Sequence, residues 1–198
     1  MKFIRLVIGP LENNCYILSG DGLGAVIIDP TGNFPEITAA LDGAGLAPSA
    51  VLLTHGHFDH IGAAKRLQDA GAEIYIHAGD IDKIGSGMGF GRVTPFTLDK
   101  TFSDGEILQL AGLEIKIIHT PGHTSGGVCF YCSFENVLFT GDTLFNGDIG
   151  RTDLPSGNYT QLIRSIKEKL FILPPCTKVF PGHGGGTTIG DEMKPLRL

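Results

Sequence analysis

The sequence predicts an α/β protein in which helices cover mixed β-sheets, and three observations support this prediction. Apolar and polar residues alternate at 2–8, 14–18 and 25–29, which is typical of half-buried strands. Residues 50–54 form a continuous apolar run, as in a strand that is buried on both faces. Stripes of apolar residues at helical spacing lie between the strands, and the clearest of them covers 159–170.

In the first half of the chain, strands and short helices are predicted to alternate. In chain order, the elements are strands at 2–8, 14–18 and 25–29, a helix from 33 to 43, a strand at 50–54, a short helix over 61–67 that ends at 71, and a strand at 73–76. Turn residues separate the first three strands, so we expect these strands to be antiparallel. Asn33 and Glu36 resemble a capping box at the start of the first helix.

The second half is predicted to begin with a loop over 80–100. Four glycines lie at 85, 87, 89 and 91, and we interpret this segment as a lid in which Phe90 is a candidate substrate contact. The elements predicted after it are strands at 107–110, 113–118, 128–134 and 137–139, a helix over 159–170, and a strand at 179–180.

Length and composition limit the classes of protein to which the chain can belong. A chain of 198 residues predicts one domain, residues 1–198. The formal net charge is −6 and no run of basic residues occurs, which argues against nucleic acid as a partner. No apolar stretch approaches the ~20 residues of a membrane span, and the apolar start is too short for a signal peptide. We therefore expect a soluble, cytoplasmic protein without a membrane partner.

The four cysteines are predicted to be structural. Cys129 and Cys132 form a C-x-x-C pattern, but they lie in a predicted strand, where side chains three residues apart face opposite sides. A redox C-x-x-C instead begins a helix, whose N-terminus stabilises the thiolate. We expect small, half-buried side chains at both positions.

Candidate metal ligands are concentrated directly after the buried strand, in Thr54-His55-Gly56-His57-Phe58-Asp59-His60. In an extended chain, His55 and His57 lie on the same side and can converge on one ion. Asp59 and His60 lie where the chain turns into a helix and point elsewhere, which suits a second ion. A set of nitrogen and carboxylate ligands without cysteine is typical of a catalytic site with an open coordination position, such as zinc or iron.

Further motifs follow along nearly the whole chain: Pro121-Gly122-His123-Thr124, Thr140-Gly141-Asp142-Thr143-Leu144-Phe145, Gly150-Arg151-Thr152-Asp153 and Pro181-Gly182-His183. With these motifs and the first cluster, the sequence resembles the metallo-β-lactamase superfamily. Within that superfamily it resembles the short glyoxalase II-like branch of hydroxyacylglutathione hydrolase homologues. The resemblance implies an αββα sandwich, with two mixed β-sheets flanked by helices and the site at one edge of the sheets.

The resemblance also implies two divalent metal ions, zinc by preference, with iron or manganese as alternatives. Carried over position by position, one ion is bound by His55, His57 and His123, the other by Asp59, His60 and His183, and Asp142 bridges them. A hydroxide held between the ions then attacks the substrate, and Asp59 orients it. The implied substrates are small-molecule thioesters such as S-lactoylglutathione. Full-length glyoxalase II enzymes bind glutathione with a C-terminal helical domain, so weak glutathione binding is expected for a chain that ends at Leu198.

Two other functions stay open at this point. Persulfide dioxygenases share these motifs and bind a single iron ion, for which His55, His123 and Asp142 would be the ligands. A metal-binding module without catalysis would leave the open coordination position unused.

Several nearby residues are assigned supporting roles. His77 and His119 match no ligand position and are expected to be structural. Asp29 resembles a carboxylate that supports a ligand. Arg151 is expected to form an ion pair with Asp153 rather than to bind substrate.

Overall fold

In the computed structural model, which describes residues 1–84 and 94–194, two six-stranded mixed β-sheets carry helices on their outer faces. The architecture confirms the predicted αββα sandwich. The predicted lid at 85–91, Phe90 within it and Arg92, which follows it in the sequence, lie outside the described residues. Among the described residues, no helix is long and apolar enough to cross a membrane.

The first sheet contains the strands of the N-terminal half, in the same order in space as in the chain. They are β1 (Lys2–Ile8), β2 (Asn13–Ser19), β3 (Gly24–Ile28), β4 (Ala47–Leu52), β5 (Glu73–His77) and β6 (Lys100–Phe102). β1, β2 and β3 are antiparallel, as predicted, whereas β3 to β6 are parallel. Parallel neighbours need crossover connections. These contain helices α1 (Phe34–Ala44), α2 (Phe58–Ile61) and α3 (Ala64–Asp69) and a 3₁₀ helix (Ala78–Lys83).

The second sheet contains the strands of the C-terminal half. They are β7 (Ile107–Leu110), β8 (Leu113–His119), β9 (Val128–Cys132), β10 (Val137–Gly141), β11 (Lys178–Pro181) and β12 (Thr187–Thr188), again in chain order across the sheet. Only the pairing of β10 with β11 is parallel among these described strands. The connection from β10 to β11 contains helix α4 (Tyr159–Ser165), and a π-helical turn (Ile166–Leu170) continues this helix. Helix α5 (Ile189–Met193) follows β12.

Three hydrophobic clusters form the layers of the sandwich. Ile28 and Phe130 belong to the cluster between the two sheets. Ile27 faces the other way, into the cluster beneath α1 and α3, and Leu162 lies in the cluster between α4 and the second sheet. Since strand neighbours face opposite sides, both faces of β3 are buried. The half-buried, alternating strand predicted at 25–29 is therefore wrong, because residues 25–28 are all apolar and buried.

Cys129 and Cys132 occupy structural positions in β9, as expected. Cys129 packs in the outer cluster beneath α4, whereas Cys132 packs between the sheets. The two side chains therefore face opposite sides of β9, as the strand prediction requires. Both are fully buried rather than half-buried, and burial raises the pKa of each thiol to about 12. A thiol with such a pKa is a poor nucleophile at neutral pH.

Several predicted boundaries are wrong. The buried strand ends at Leu52 rather than at 54, because the backbone N–H of Thr54 donates to a carboxylate of Asp29 instead of to a neighbouring strand. The helix predicted over 61–67 is divided into α2 and α3, and Ala63 at the break donates to the carbonyl of Pro30.

Other differences concern short segments and a cap. The predicted 80–100 loop is partly structured, since it overlaps the 3₁₀ helix and ends in β6. The side chain of Asn33 donates to Glu36 (2.9 Å) rather than capping the backbone of α1. β6, β12 and α5 were not predicted, because elements of two to five residues show no detectable periodicity.

Candidate metal centre

The seven predicted ligands lie together at one edge of the sandwich, in loops and a short helix that follow strand ends. His55, His57, Asp59 and His60 follow β4, His123 follows β8, Asp142 directly follows β10, and His183 follows β11. Because the first sheet contributes one of these strand ends and the second sheet contributes three, ligands that are far apart in the chain become neighbours at this edge.

The first group of ligands consists of three histidines. Ligand atoms of His55, His57 and His123 lie within 4.8 Å of one another. Nε2 of His123 lies 3.0 Å from Nδ1 of His57. His55 and His123 are buried and His57 is partly buried, so the three rings form a nitrogen-lined pocket that fits one cation.

The second group combines one carboxylate with two histidines. Ligand atoms of Asp59, His60 and His183 also lie within 4.8 Å of one another. Oδ2 of Asp59 is 3.5 Å from Nε2 of His183 and 3.7 Å from Nε2 of His60. His60 is fully buried, whereas His183 is partly exposed and closes the group on the solvent side.

Asp142 lies between the two groups. Its Oδ1 is 3.5 Å from Nε2 of His60 and 3.8 Å from Nε2 of His183, while its Oδ2 is 3.7 Å from Nε2 of His123. One carboxylate oxygen thus faces each group, which is the arrangement that a ligand shared by two ions requires.

Hydrogen bonds orient four of the five histidines. In each of the four, Nδ1 contacts an oxygen, and Nε2 is left to face the centre. The contacts are His55 with Thr54 Oγ1 (3.0 Å), His60 with Asp29 Oδ2 (2.9 Å), His123 with the carbonyl of Arg151 (2.7 Å) and His183 with the carbonyl of Leu11 (3.0 Å). Such contacts are typical of metal-binding histidines, because they fix both the tautomer and the ring orientation.

Asp29 supports both groups at once. Besides His60, its buried carboxylate accepts hydrogen bonds from the backbone N–H (2.8 Å) and the hydroxyl (2.6 Å) of Thr54. Thr54 in turn contacts His55, so Asp29 connects His55 of the first group with His60 of the second. The structure therefore places Asp29 where the resemblance implied.

Two residues at the centre were not predicted from the sequence. Asn13 is buried, and its amide donates to Oδ2 of Asp59 at 3.0 Å and lies 3.2 Å from Nε2 of His183. Asp80 is fully buried beneath the loop that contains His55 and His57. Neither contact has a local sequence signal, because each partner is more than 20 positions away along the chain.

The donor set fits metal ions, as two further observations show. Nε2 of His55 and Oδ1 of Asp142 are buried polar atoms without a hydrogen-bond partner in the protein. Buried polar atoms normally have a partner, and a bound cation would provide one. Gly182 completes the fit, since a Cβ atom at this position would collide with Oδ1 of Asp142 and with the ring of His60.

The pKa values of the buried histidines shift in opposite directions in the two ligand groups. Burial, with the neighbouring histidines, lowers the pKa of His55 well below its usual value and lowers the pKa of His57 to about 4. Burial also acts to lower the pKa of His60, but the carboxylates of Asp142, Asp29 and Asp59 outweigh it and raise the pKa to about 10. His55 and His57 are therefore neutral at pH 7 and ready to bind a cation, whereas an ion at the second group must displace a proton from His60.

His77, His119 and Arg151 lie outside the ligand groups. The rings of His77 and His119 stack in parallel with centroids 4.0 Å apart. Since parallel rings direct their nitrogen lone pairs side by side, the pair does not form a converging ligand set. Arg151 forms the expected ion pair with Asp153, with two contacts of 2.8 Å, and only its backbone carbonyl contacts a candidate ligand.

The chain is similar to known proteins along most of its length. The family model of the metallo-β-lactamase superfamily matches residues 8–183. A hydroxyacylglutathione hydrolase, GloC, from Haemophilus influenzae is 40% identical over 193 residues, which cover 92% of this chain and 91% of that protein.

Two solved structures share the whole fold. The crystal structure of BLEG-1, described as a B3 metallo-β-lactamase, has a TM-score of 0.90 and 39% identity, and the match covers 98% of this chain and 97% of that chain. The structure of TTHA1623 in a di-iron-bound form has a TM-score of 0.87 and 36% identity, and the match covers 96% and 97%.

Proposed function

Because this chain belongs to the metallo-β-lactamase superfamily, we propose that it is a hydrolase that binds two divalent metal ions and cleaves small-molecule thioesters, S-lactoylglutathione among them. The observation that carries the proposal is the position of Asp142, whose two oxygens face two separate ligand groups. The similarity to a hydroxyacylglutathione hydrolase supports the substrate class. We propose zinc as the metal, with iron or manganese as alternatives, and the di-iron-bound relative supports iron among them.

Each of the two ligand groups is proposed to hold one metal ion. His55, His57 and His123 hold one ion, Asp59, His60 and His183 hold the other, and Asp142 is shared. When bound, divalent ions supply Lewis acidity, which lowers the pKa of water from 15.7 toward ~7 and polarises a carbonyl oxygen.

Asp59 is the proposed catalytic carboxylate. Burial acts to raise its pKa, but the hydrogen bond with His183 and the charge of His60 hold the pKa below the usual range. The carboxylate is therefore ionised at neutral pH and serves as an acceptor that orients the attacking water. Asn13 donates to Oδ2 of Asp59 and so fixes the carboxylate in this orientation.

A cleft of about 360 Å³ adjoins the first ligand group and is the proposed substrate site. Its lining residues are Gly56, His57, Phe58, Asp82, Lys83, Pro155 and Ser156. Phe58 and Pro155 form apolar walls. The ammonium of Lys83 contacts the carboxylate of Asp80 at 2.7 Å, so this positive charge is already compensated. Such a cleft suits the acyl and thioester groups better than the two carboxylates of glutathione.

Substrate breadth tests this proposal. We expect hydrolysis of S-lactoylglutathione with a KM near the upper end of the usual range, about 1 mM, because ion pairs with the glutathione carboxylates contribute little remote binding energy. Thioesters of the same acyl group with smaller thiols are expected to be hydrolysed with comparable kcat. The measurement is a set of steady-state kinetics on matched thioesters whose thiol part is progressively truncated.

Two results would contradict the expected substrate range. A low micromolar KM, together with loss of turnover when the glutathione part is truncated, would show that glutathione is specifically bound, and Arg151 and Arg92 are then the first residues to replace. A β-lactam belongs in the same panel because BLEG-1 is described as a B3 metallo-β-lactamase. Turnover of the β-lactam without turnover of any thioester would contradict the proposed substrate class.

A persulfide dioxygenase is the alternative function. It is favoured by the contact of His123 with Oδ2 of Asp142 (3.7 Å) and by the unpartnered Nε2 of His55, since these three residues could hold one iron ion. Oxygen consumption with a persulfide substrate and one iron per chain would support this alternative against thioester hydrolysis.

A further inference from the structure

Asp80 is a buried carboxylate outside the seven proposed ligands. It lies in the 3₁₀ helix after β5, at the start of the segment for which the sequence predicts a loop. Its side chain is fully buried although it is a carboxylate. Buried carboxylates are costly unless hydrogen bonds and charges compensate them, so its contacts indicate what it does.

The contacts of Asp80 join two loops that come from different sheets. Its Oδ2 accepts the backbone N–H of Gly56 at 3.0 Å, and its Oδ1 accepts the backbone N–H of Gly126 at 2.7 Å and the ammonium of Lys83 at 2.7 Å. Gly56 lies between His55 and His57, which follow the first sheet. Gly126 lies three residues after His123, which follows the second sheet.

The packing around Asp80 leaves no space for side chains at these glycines. A Cβ atom on Gly56 would lie 2.8 Å from Cβ of Lys83, and one on Gly126 would lie 2.7 Å from Oδ1 of Asp80. Ser125 adds a further contact between the same segments, because its hydroxyl donates to the carbonyl of Gly79 at 2.7 Å. The two loops are thus held at a fixed separation.

We propose that Asp80 is a positioning residue that sets the distance of His55 and His57 from His123 and thereby determines the affinity of this group for its metal ion. The second group does not depend on it, because His60 is oriented by Asp29 and His183 by the carbonyl of Leu11. The proposal rests on the proposed metal centre but not on thioester chemistry.

Replacing Asp80 with asparagine removes one of its two acceptor oxygens. An Asn side chain has one acceptor oxygen and one NH₂ group, so one of the two backbone N–H groups would face a donor. Residues that support metal ligands typically change metal affinity about 10- to 100-fold when they are replaced. We expect a loss of this size for Zn²⁺ at the first group.

The test uses two single-site backgrounds. His183→Ala retains the complete first group, and His57→Ala retains the complete second group. In each background, Zn²⁺ affinity is measured by competition with a chromophoric chelator, with and without Asp80→Asn. Asp104→Asn is the matched control, since Asp104 also accepts a backbone N–H (His119, 2.8 Å) and pairs with a lysine (Lys169, 2.7 Å), away from the centre.

The expected result is weaker Zn²⁺ binding with Asp80→Asn in the His183→Ala background and unchanged binding in the other, with no effect of Asp104→Asn in either. Equal weakening of both groups, or no weakening, overturns the proposal. If Asp80→Asn does not fold, Asp80→Glu keeps two acceptor oxygens and is expected to show a smaller loss with the same selectivity. The same criteria then apply to the Glu variant. Absence of Zn²⁺ binding by the unmodified chain would instead refute the metal centre itself.

Discussion

Replacing Asp142 with alanine is expected to lower kcat/KM for thioester hydrolysis about 1,000-fold or more, which corresponds to ~4 kcal/mol of transition-state stabilisation. The reason is geometric. Its oxygens face His60 at 3.5 Å and His123 at 3.7 Å, so the substitution removes a carboxylate from both ligand groups at once. The variant should also retain less than the full complement of metal.

The measurement combines steady-state kinetics with metal analysis of the same protein sample. Asp69→Ala is the control, because Asp69 forms an exposed ion pair with Lys65 and lies in α3, away from the centre. Near-normal hydrolysis by the Asp142 variant would refute the role of a shared ligand.

The second large effect is expected for Asp29 and concerns stability. Asp29→Ala should lower the free energy of unfolding by about 3–5 kcal/mol, because it leaves the charged ring of His60 buried without its 2.9 Å partner. The backbone N–H of Thr54 also loses its acceptor. Asp29→Asn retains the shape and is expected to cost less than alanine.

Urea denaturation of the metal-depleted protein measures this effect. Depletion matters because a bound metal stabilises the folded state and would mask the difference. Asp21→Ala is a suitable control, since Asp21 accepts backbone N–H groups, as Asp29 does from Thr54, but is exposed, and its replacement should cost much less. Equal losses for the two alanine variants would show that the buried ion pair with His60 does not contribute.

Much of the fold could be predicted because strands and helices impose different periods on the sequence. β1 has the predicted bounds, and the opposite orientations of Cys129 and Cys132 follow from the period of two. Short elements such as β12 could not be predicted, since two residues contain no period.

The candidate ligands could be named because histidine and aspartate are concentrated in short motifs. The residues that hold them in place are different. Asn13 contacts Asp59 across 46 positions, and Asp80 contacts Gly126 across the same number. Such contacts arise only when the two sheets bring strand ends together at one edge, so local sequence patterns do not reveal them.

The most direct test of the proposed function is a Zn²⁺ titration of the metal-depleted chain in which bound metal per chain and S-lactoylglutathione hydrolysis are measured on the same samples. We expect two ions to bind per chain and full hydrolysis to require the second ion, because Asp142 faces both ligand groups. Full hydrolytic activity with one ion per chain, or the absence of thioester hydrolysis in a chain that holds two, would contradict the proposed function.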